Sequence, residues 1–139
     1  MTARALSGLS FVGTRAFSRN DIWVTALAGT GTSNLSAWLV HFNGARWTRM
    51  RLPWKVNPEG FAADGQGGLW LTAEGLNGQA GQAYVLHRTA SGRWTRTSIS
   101  ARLIGVALIP GTASLWGVGW AMTKTGADAA IWAYGKIAS

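Results

Sequence analysis

Two histidines, His41 and His87, and five acids, Asp21, Glu59, Asp64, Glu74 and Asp128, are all that this 139-residue chain offers for acid–base or metal chemistry. The histidines close matching strings, Ala37-Trp38-Leu39-Val40-His41 and Ala83-Tyr84-Val85-Leu86-His87, 46 residues apart. Such a recurrence suggests a metal centre or a proton relay. A histidine metal site needs three or four converging ligands, yet no carboxylate recurs beside these residues and Ala133 takes the third equivalent position. Structural histidines are expected, without His–acid pairing. Asp64-Gly65-Gln66-Gly67-Gly68 resembles a calcium loop but lacks its alternating acids, so a hairpin turn is expected. Its glycines open no helix, which argues against a phosphate cradle. With no Cys there is no thiol nucleophile, and no serine sits in a Gly-x-Ser-x-Gly elbow. No catalytic residue, metal site or cofactor is expected.

Hydrophobic residues make up 47% of the chain and charged ones 13%, which excludes a disordered tail or a coiled coil. Thirteen Lys and Arg against five acids give a net charge of +8, but the basic residues are scattered and form no nucleic-acid-binding arm. Nucleic acid is not the expected partner. No apolar run approaches the ~18–20 residues needed to cross a bilayer. The segment 1–17 has no apolar block of the kind a secretory signal carries.

The strongest signal is an internal repeat. Asp21-Ile22-Trp23, Gly68-Leu69-Trp70 and Ser114-Leu115-Trp116 place tryptophans 47 and 46 residues apart. Arg46-Trp47-Thr48-Arg49 returns as Arg93-Trp94-Thr95-Arg96, and the histidine strings continue into Ala129-Ala130-Ile131-Trp132-Ala133. Each element is short, apolar or alternating, and bounded by turn residues such as Asn43-Gly44, Ser91-Gly92 and Pro110-Gly111-Thr112, as β-strands are. Strands are expected at 22–27, 38–42, 46–52, 60–63, 69–73, 83–88, 93–99, 105–109, 115–120 and 130–134. No segment shows a capped helical period. The pattern implies an all-β chain of about three four-stranded antiparallel sheets of 46–47 residues each, the pattern of β-propeller blades in an open or partial ring. The blades would cover about 13–52, 58–99 and 103–137 of a single domain, 1–139. The outer strand of the third would be missing or supplied by 4–12.

The residues that carry a family resemblance are Gly105-Val106-Ala107 and Ser114-Leu115-Trp116-Gly117-Val118-Gly119 within 103–119, and His41-Phe42-Asn43-Gly44-Ala45-Arg46-Trp47. With them the chain resembles the Trp-rich, kelch-like propeller repeats of actinobacterial extracellular proteins. Asp64-Gly65-Gln66-Gly67-Gly68-Leu69-Trp70 is similar to blades of two-component-sensor and streptogramin-lyase propellers. The resemblance implies an extracellular sensing, adhesion or interaction module, often attached to other domains. It implies no chemistry by itself.

Trp23, Trp70, Trp116, Trp47 and Trp94 keep the period and are expected to pack the blades. Trp54 and Trp120 break it, and with Asn34, Asn77 and Lys124 they are the candidate ligand contacts. Loops at 28–36, 74–82 and 122–128 follow each tryptophan strand and would contact the partner, and Trp54 stands in a separate connector. Arg49, Arg51 and Arg96 share a strand face with Trp47 and Trp94. They form either a ridge for a polyanion or a guard on an exposed sheet edge, and the guard is expected. The function expected is a non-enzymatic binding or scaffold module for a protein or carbohydrate partner. It would work within a larger protein, beside further blades or a second copy. A partial hydrolase or lyase with catalytic residues outside this chain, and a polyanion-binding surface, are the alternatives.

Overall fold

The computed structural model describes residues 6–31, 34–76, 81–109 and 114–134. Regular structure among them is all β, in eleven strands. These are β1 (Ser10–Ser18), β2 (Asp21–Ala28), β3 (Ser36–Phe42), β4 (Trp47–Arg51), β5 (Val56–Ala63), β6 (Leu69–Gly75), β7 (Ala83–Arg88), β8 (Trp94–Ile99), β9 (Arg102–Leu108), β10 (Leu115–Thr123) and β11 (Gly126–Tyr134). They form three antiparallel sheets, ordered β1-β2-β3-β4, β5-β6-β7-β8 and β11-β10-β9. Each sheet joins strands that are consecutive in sequence, because tight turns bring neighbours together before distant strands can compete. At the β3–β4 turn, the Asn43 side-chain oxygen accepts from the Ala45 and Arg46 amides at 3.1 and 3.0 Å.

The repeat is also a repeat of register. Trp23 lies opposite His41, Trp70 opposite His87 and Trp116 opposite Ala133. Two residues on, Thr25 faces Leu39, Thr72 faces Val85 and Val118 faces Ile131. Because side chains alternate across a strand, these pairs define the same sheet face in all three repeats. In β6 the residues Leu69 to Ala73 are all buried, so this strand is covered on both faces and reads as a continuous apolar run.

Two compact units divide the chain: Met1–Pro58 with Gly75–Ala80, and Glu59–Glu74 with Gly81–Ser139. In the first, one face of the β1–β4 sheet is buried through Trp23, Thr25 and Leu39. In the second, the second and third sheets pack on each other. Ala62, Trp70 and Val85 meet Leu103, Val106 and Leu115, with Trp132 and Leu108 at the margin. The Trp70 ring also meets Tyr134 edge-on, with centroids 5.3 Å apart. β5 and β9 approach closely at Gly60, where a Cβ would stand 3.1 Å from the Ile104 carbonyl oxygen. The Gly60 amide donates to Thr72 Oγ1 at 3.0 Å.

One expectation narrows and one changes. Of the two alternatives for the outer strand of the third sheet, supply by 4–12 is not found: residues 10–12 belong to β1, where Ser10 and Phe11 pair with Leu27 and Ala26, and the third sheet has three strands among the described residues. The 122–128 loop is instead a hairpin tip. Met122 pairs with Ala127 and Thr123 with Gly126, which leaves only Lys124 and Thr125 to turn. Gly126, with φ of 143°, adopts a backbone that other residues resist, and Thr123 Oγ1 donates to its carbonyl at 3.0 Å. Thus ladder hydrogen bonds extend through a segment whose composition carries no apolar alternation.

The periodic tryptophans differ in environment: Trp23 is 6% exposed, Trp70 8% and Trp116 38%. Trp70→Ala is therefore expected to cost about 3–5 kcal/mol of unfolding free energy in a denaturant titration. Trp116→Ala is expected to cost less than about half of that, because its ring is already partly in water.

Candidate functional site

Each of the first two repeats ties its histidine to a tryptophan and a carboxylate. The His41 ring stacks on Trp23 with centroids 3.9 Å apart and planes 14° apart. Its Nε2 donates to Asp21 Oδ1 at 2.9 Å, and Trp23 Nε1 donates to the same oxygen at 2.8 Å. In the second repeat His87 stacks on Trp70 at 4.0 Å and 15°, and its Nε2 donates to Asp64 Oδ2 at 2.9 Å. The expectation that no carboxylate pairs with the histidines is therefore corrected: both are paired.

The carboxylates come from different places in the repeat. Asp21 stands two residues before its tryptophan, where the second repeat has Gly68. Asp64 comes from the preceding turn and fills the space beside His87. A Cβ at position 68 would overlap both the Asp64 carboxylate and the Arg88 carbonyl oxygen. Asp64 Oδ1 also accepts from the Gln66 and Gly68 amides at 2.8 and 2.7 Å. Gly65 and Gly67 supply the positive φ angles, 76° and 85°, that let the turn close under it. Burial pushes the Asp64 carboxyl up. The hydrogen bonds from His87, Gln66 and Gly68, with the charge of His87, outweigh it and hold the group below its usual value. In the third repeat Ser114 and Ala133 replace the acid and the histidine.

These clamps hold two rings in contact across neighbouring strands. All the polar atoms described for Asp64 are engaged within the chain. Among the described residues no three His, Asp, Glu or Cys side chains gather as a metal site would require.

A second polar cluster lies in the second unit, on the edge where β5, β6, β9 and β10 meet. Arg102 Nε donates to Glu59 Oε1 at 2.9 Å, and its terminal nitrogen reaches Glu59 Oε1 and, at 3.0 Å, Glu74 Oε2. The hydrogen bond to Glu59 raises the Arg102 pKa above its ordinary value. Burial opposes this, and the charges of both glutamates reinforce it. The guanidinium lies 5.1 Å from the centre of the Trp120 ring, opposite it in the β9–β10 ladder. Glu74 Oε1 accepts from the Gly81 amide at 3.3 Å, whereas Glu59 Oε2 is buried with no hydrogen-bond partner. Glu74, Arg102, Trp120, Met122 and Ser100 line a cleft of about 260 Å³ beside this cluster. Two carboxylates around one guanidinium leave it one negative charge in excess.

Of the candidate contacts, Trp120 is half-buried in this cleft and Lys124 is exposed at the β10–β11 tip. Trp54 is half-buried in the β4–β5 connector, Asn34 is exposed before β3, and Asn77 lies outside the described residues. Trp47 is half-buried against Phe42, with centroids 5.1 Å apart, and Trp94 is half-buried on β8. Arg49 lies over Trp38 at 5.5 Å and Arg96 over Tyr84 at 4.8 Å, equivalent contacts in two repeats. These arginines cover aromatic rings at the sheet margin. Sequence reasoning missed Glu59, Glu74 and Arg102 as a group, because the acids lie 43 and 28 residues before the arginine.

Because the Asp64 pKa is lowered on folding, its stabilisation is complete above about pH 4 and is lost as pH falls through the folded value. The stability gap between wild type and Asp64→Asn is expected to narrow from pH 5 toward about pH 2, followed by thermal unfolding. Asp64→Ala is expected to cost about 1.5–3 kcal/mol at pH 7, since three donors lose a charged acceptor. No family model, curated protein or solved structure matches this chain.

Proposed function

We propose that the chain is a non-enzymatic binding module of propeller-type blades, kelch-like in pattern, whose cleft beside Trp120 takes a carbohydrate. The observation that carries this reading is the half-buried indole set beside the Glu74 carboxylate and the Arg102 guanidinium in a cleft, with the guanidinium held from behind by Glu59. A sugar has an apolar C–H face that stacks on an indole and a rim of hydroxyls that bond to such groups. The ion pairs among Glu59, Glu74 and Arg102 keep these partners in place before a ligand arrives, which limits the entropy lost on binding.

The two histidine–carboxylate clamps are read as packing elements: their imidazoles stack on tryptophans and donate Nε2 to carboxylates. The net charge of +8 favours a polyanion only if the basic groups converge, and in the ion-pair cluster beside this cleft two acids meet one base.

Screening the chain against neutral and anionic oligosaccharides, with tryptophan fluorescence as the readout, tests the proposal. Binding of a neutral glycan that persists at about 1 M salt is expected. Trp120→Ala should weaken it at least about tenfold, the loss of roughly 1.4 kcal/mol of stacking. Equal affinity in Trp120→Ala would refute the assignment. Binding of anionic glycans alone, abolished by salt, would favour the polyanion reading.

A further inference from the structure

Two sheet faces are left open, and each is built like one side of the contact that the chain already makes between its second and third sheets. The second sheet covers the third with Trp70 and Val85, on the face that also carries Thr72. The equivalent residues of the third sheet are Trp116, Val118 and Ile131, in the same register, and they are 38%, 53% and 75% exposed. The third sheet therefore displays a second copy of the surface that covers it, with valine replacing threonine.

The converse holds for the first sheet. The face that the third sheet turns toward the second includes Trp132, opposite Gly117. Their equivalents in the first sheet are Val40 and Val24, which also face one another. Val24, Val40, Phe11, Val12, Thr14 and Trp47 line an apolar groove of about 450 Å³; Val40 itself is buried, so the open part of this face lies toward β1. Phe11 is 56% exposed and Val12 42%. Open apolar surface of this kind marks an interaction site.

We infer that the open face of the third sheet docks on the open face of the first sheet of a second copy of this chain, continuing the packing of the second sheet on the third. The repeat is the argument for this occupant. One surface is of the covering kind and the other of the receiving kind, so the contact is head-to-tail and uses both faces of every chain. Trp120 lies on the same face of β10, two residues beyond Val118, and the experiment for this contact reads association between chains, not glycan binding.

The test is solution mass by light scattering across a concentration series, on the whole chain and on Val12→Glu and Val118→Glu. Both substitutions put a charge at an exposed position. The wild type is expected at a multiple of the 14.7 kDa chain mass, and each variant alone at one chain mass. An equimolar mixture of the two variants is expected to regain a two-chain species, because each retains the face that the other lacks. A wild type of one chain mass throughout would overturn the inference. So would association that only one substitution disrupts, since pairing of like faces uses a single surface. The chain has no Cys, so Val12→Cys and Val118→Cys introduce unique thiols. A short bismaleimide should join the two variants when mixed and neither to itself; cross-links between like variants, or none, would overturn the contact even if a glutamate variant failed to fold.

Discussion

A β-sheet apolar on both faces has to be covered twice. In β6 five consecutive residues from Leu69 are buried, and no alternation with water-facing side chains relieves them. The large residues of this strand and its neighbours must be met by side chains from outside their own sheet, and the contact between the second and third sheets meets part of that need. The small residues follow from the same demand. Gly60 allows β5 to approach β9, and Gly117 leaves room for Leu103, which a Cβ there would overlap. Burial of this sort is the main driving force for the fold, and its loss at a sheet face is an energetic cost that scales with the area left open.

Buried polar groups in such a structure are mostly met by partners within the chain, Glu59 Oε2 being an exception. The Trp–His–Asp clamps supply such partners at the ends of the tryptophan strands. The indole covers one face of the imidazole while the carboxylate accepts a hydrogen bond from its Nε2. The Glu59–Arg102–Glu74 cluster does so between strands of different sheets, with β5 and β6 each contributing an acid to an arginine of β9. Charges brought out of water in this way stay only with good geometry, and removal of one partner leaves the others stranded.

Much of the architecture was legible because period and strand pattern reinforce each other. Three recurrent strings put strands at the right places, and the register pairs Trp23 with His41, Trp70 with His87 and Trp116 with Ala133 as equal spacing requires. The polar sites were less legible. The His87 carboxylate was missed because a repeat invites comparison at equal offsets, and Asp64 lies four residues before the equivalent of Asp21. Glu59, Glu74 and Arg102 converge only through pairing and packing of strands, which leaves no local signature. The β10–β11 tip was read as a loop because its composition is polar, whereas backbone hydrogen bonds are indifferent to that polarity.

The two ways of supplying a carboxylate to the histidine have an implication for how one repeat could be converted into another. At position 68 a side chain would collide with the Asp64 carboxylate and the Arg88 carbonyl, so the turn-borne acid and a strand-borne acid are sterically exclusive in this sheet. Exchanging one solution for the other in single substitutions passes through a sequence with either no acid for His87 or two competing for one space. Because the collision with the Arg88 carbonyl persists without Asp64, position 68 is held to glycine in this sheet whatever stands at 64. Sister repeats can settle on different solutions and then be unable to trade residues position for position.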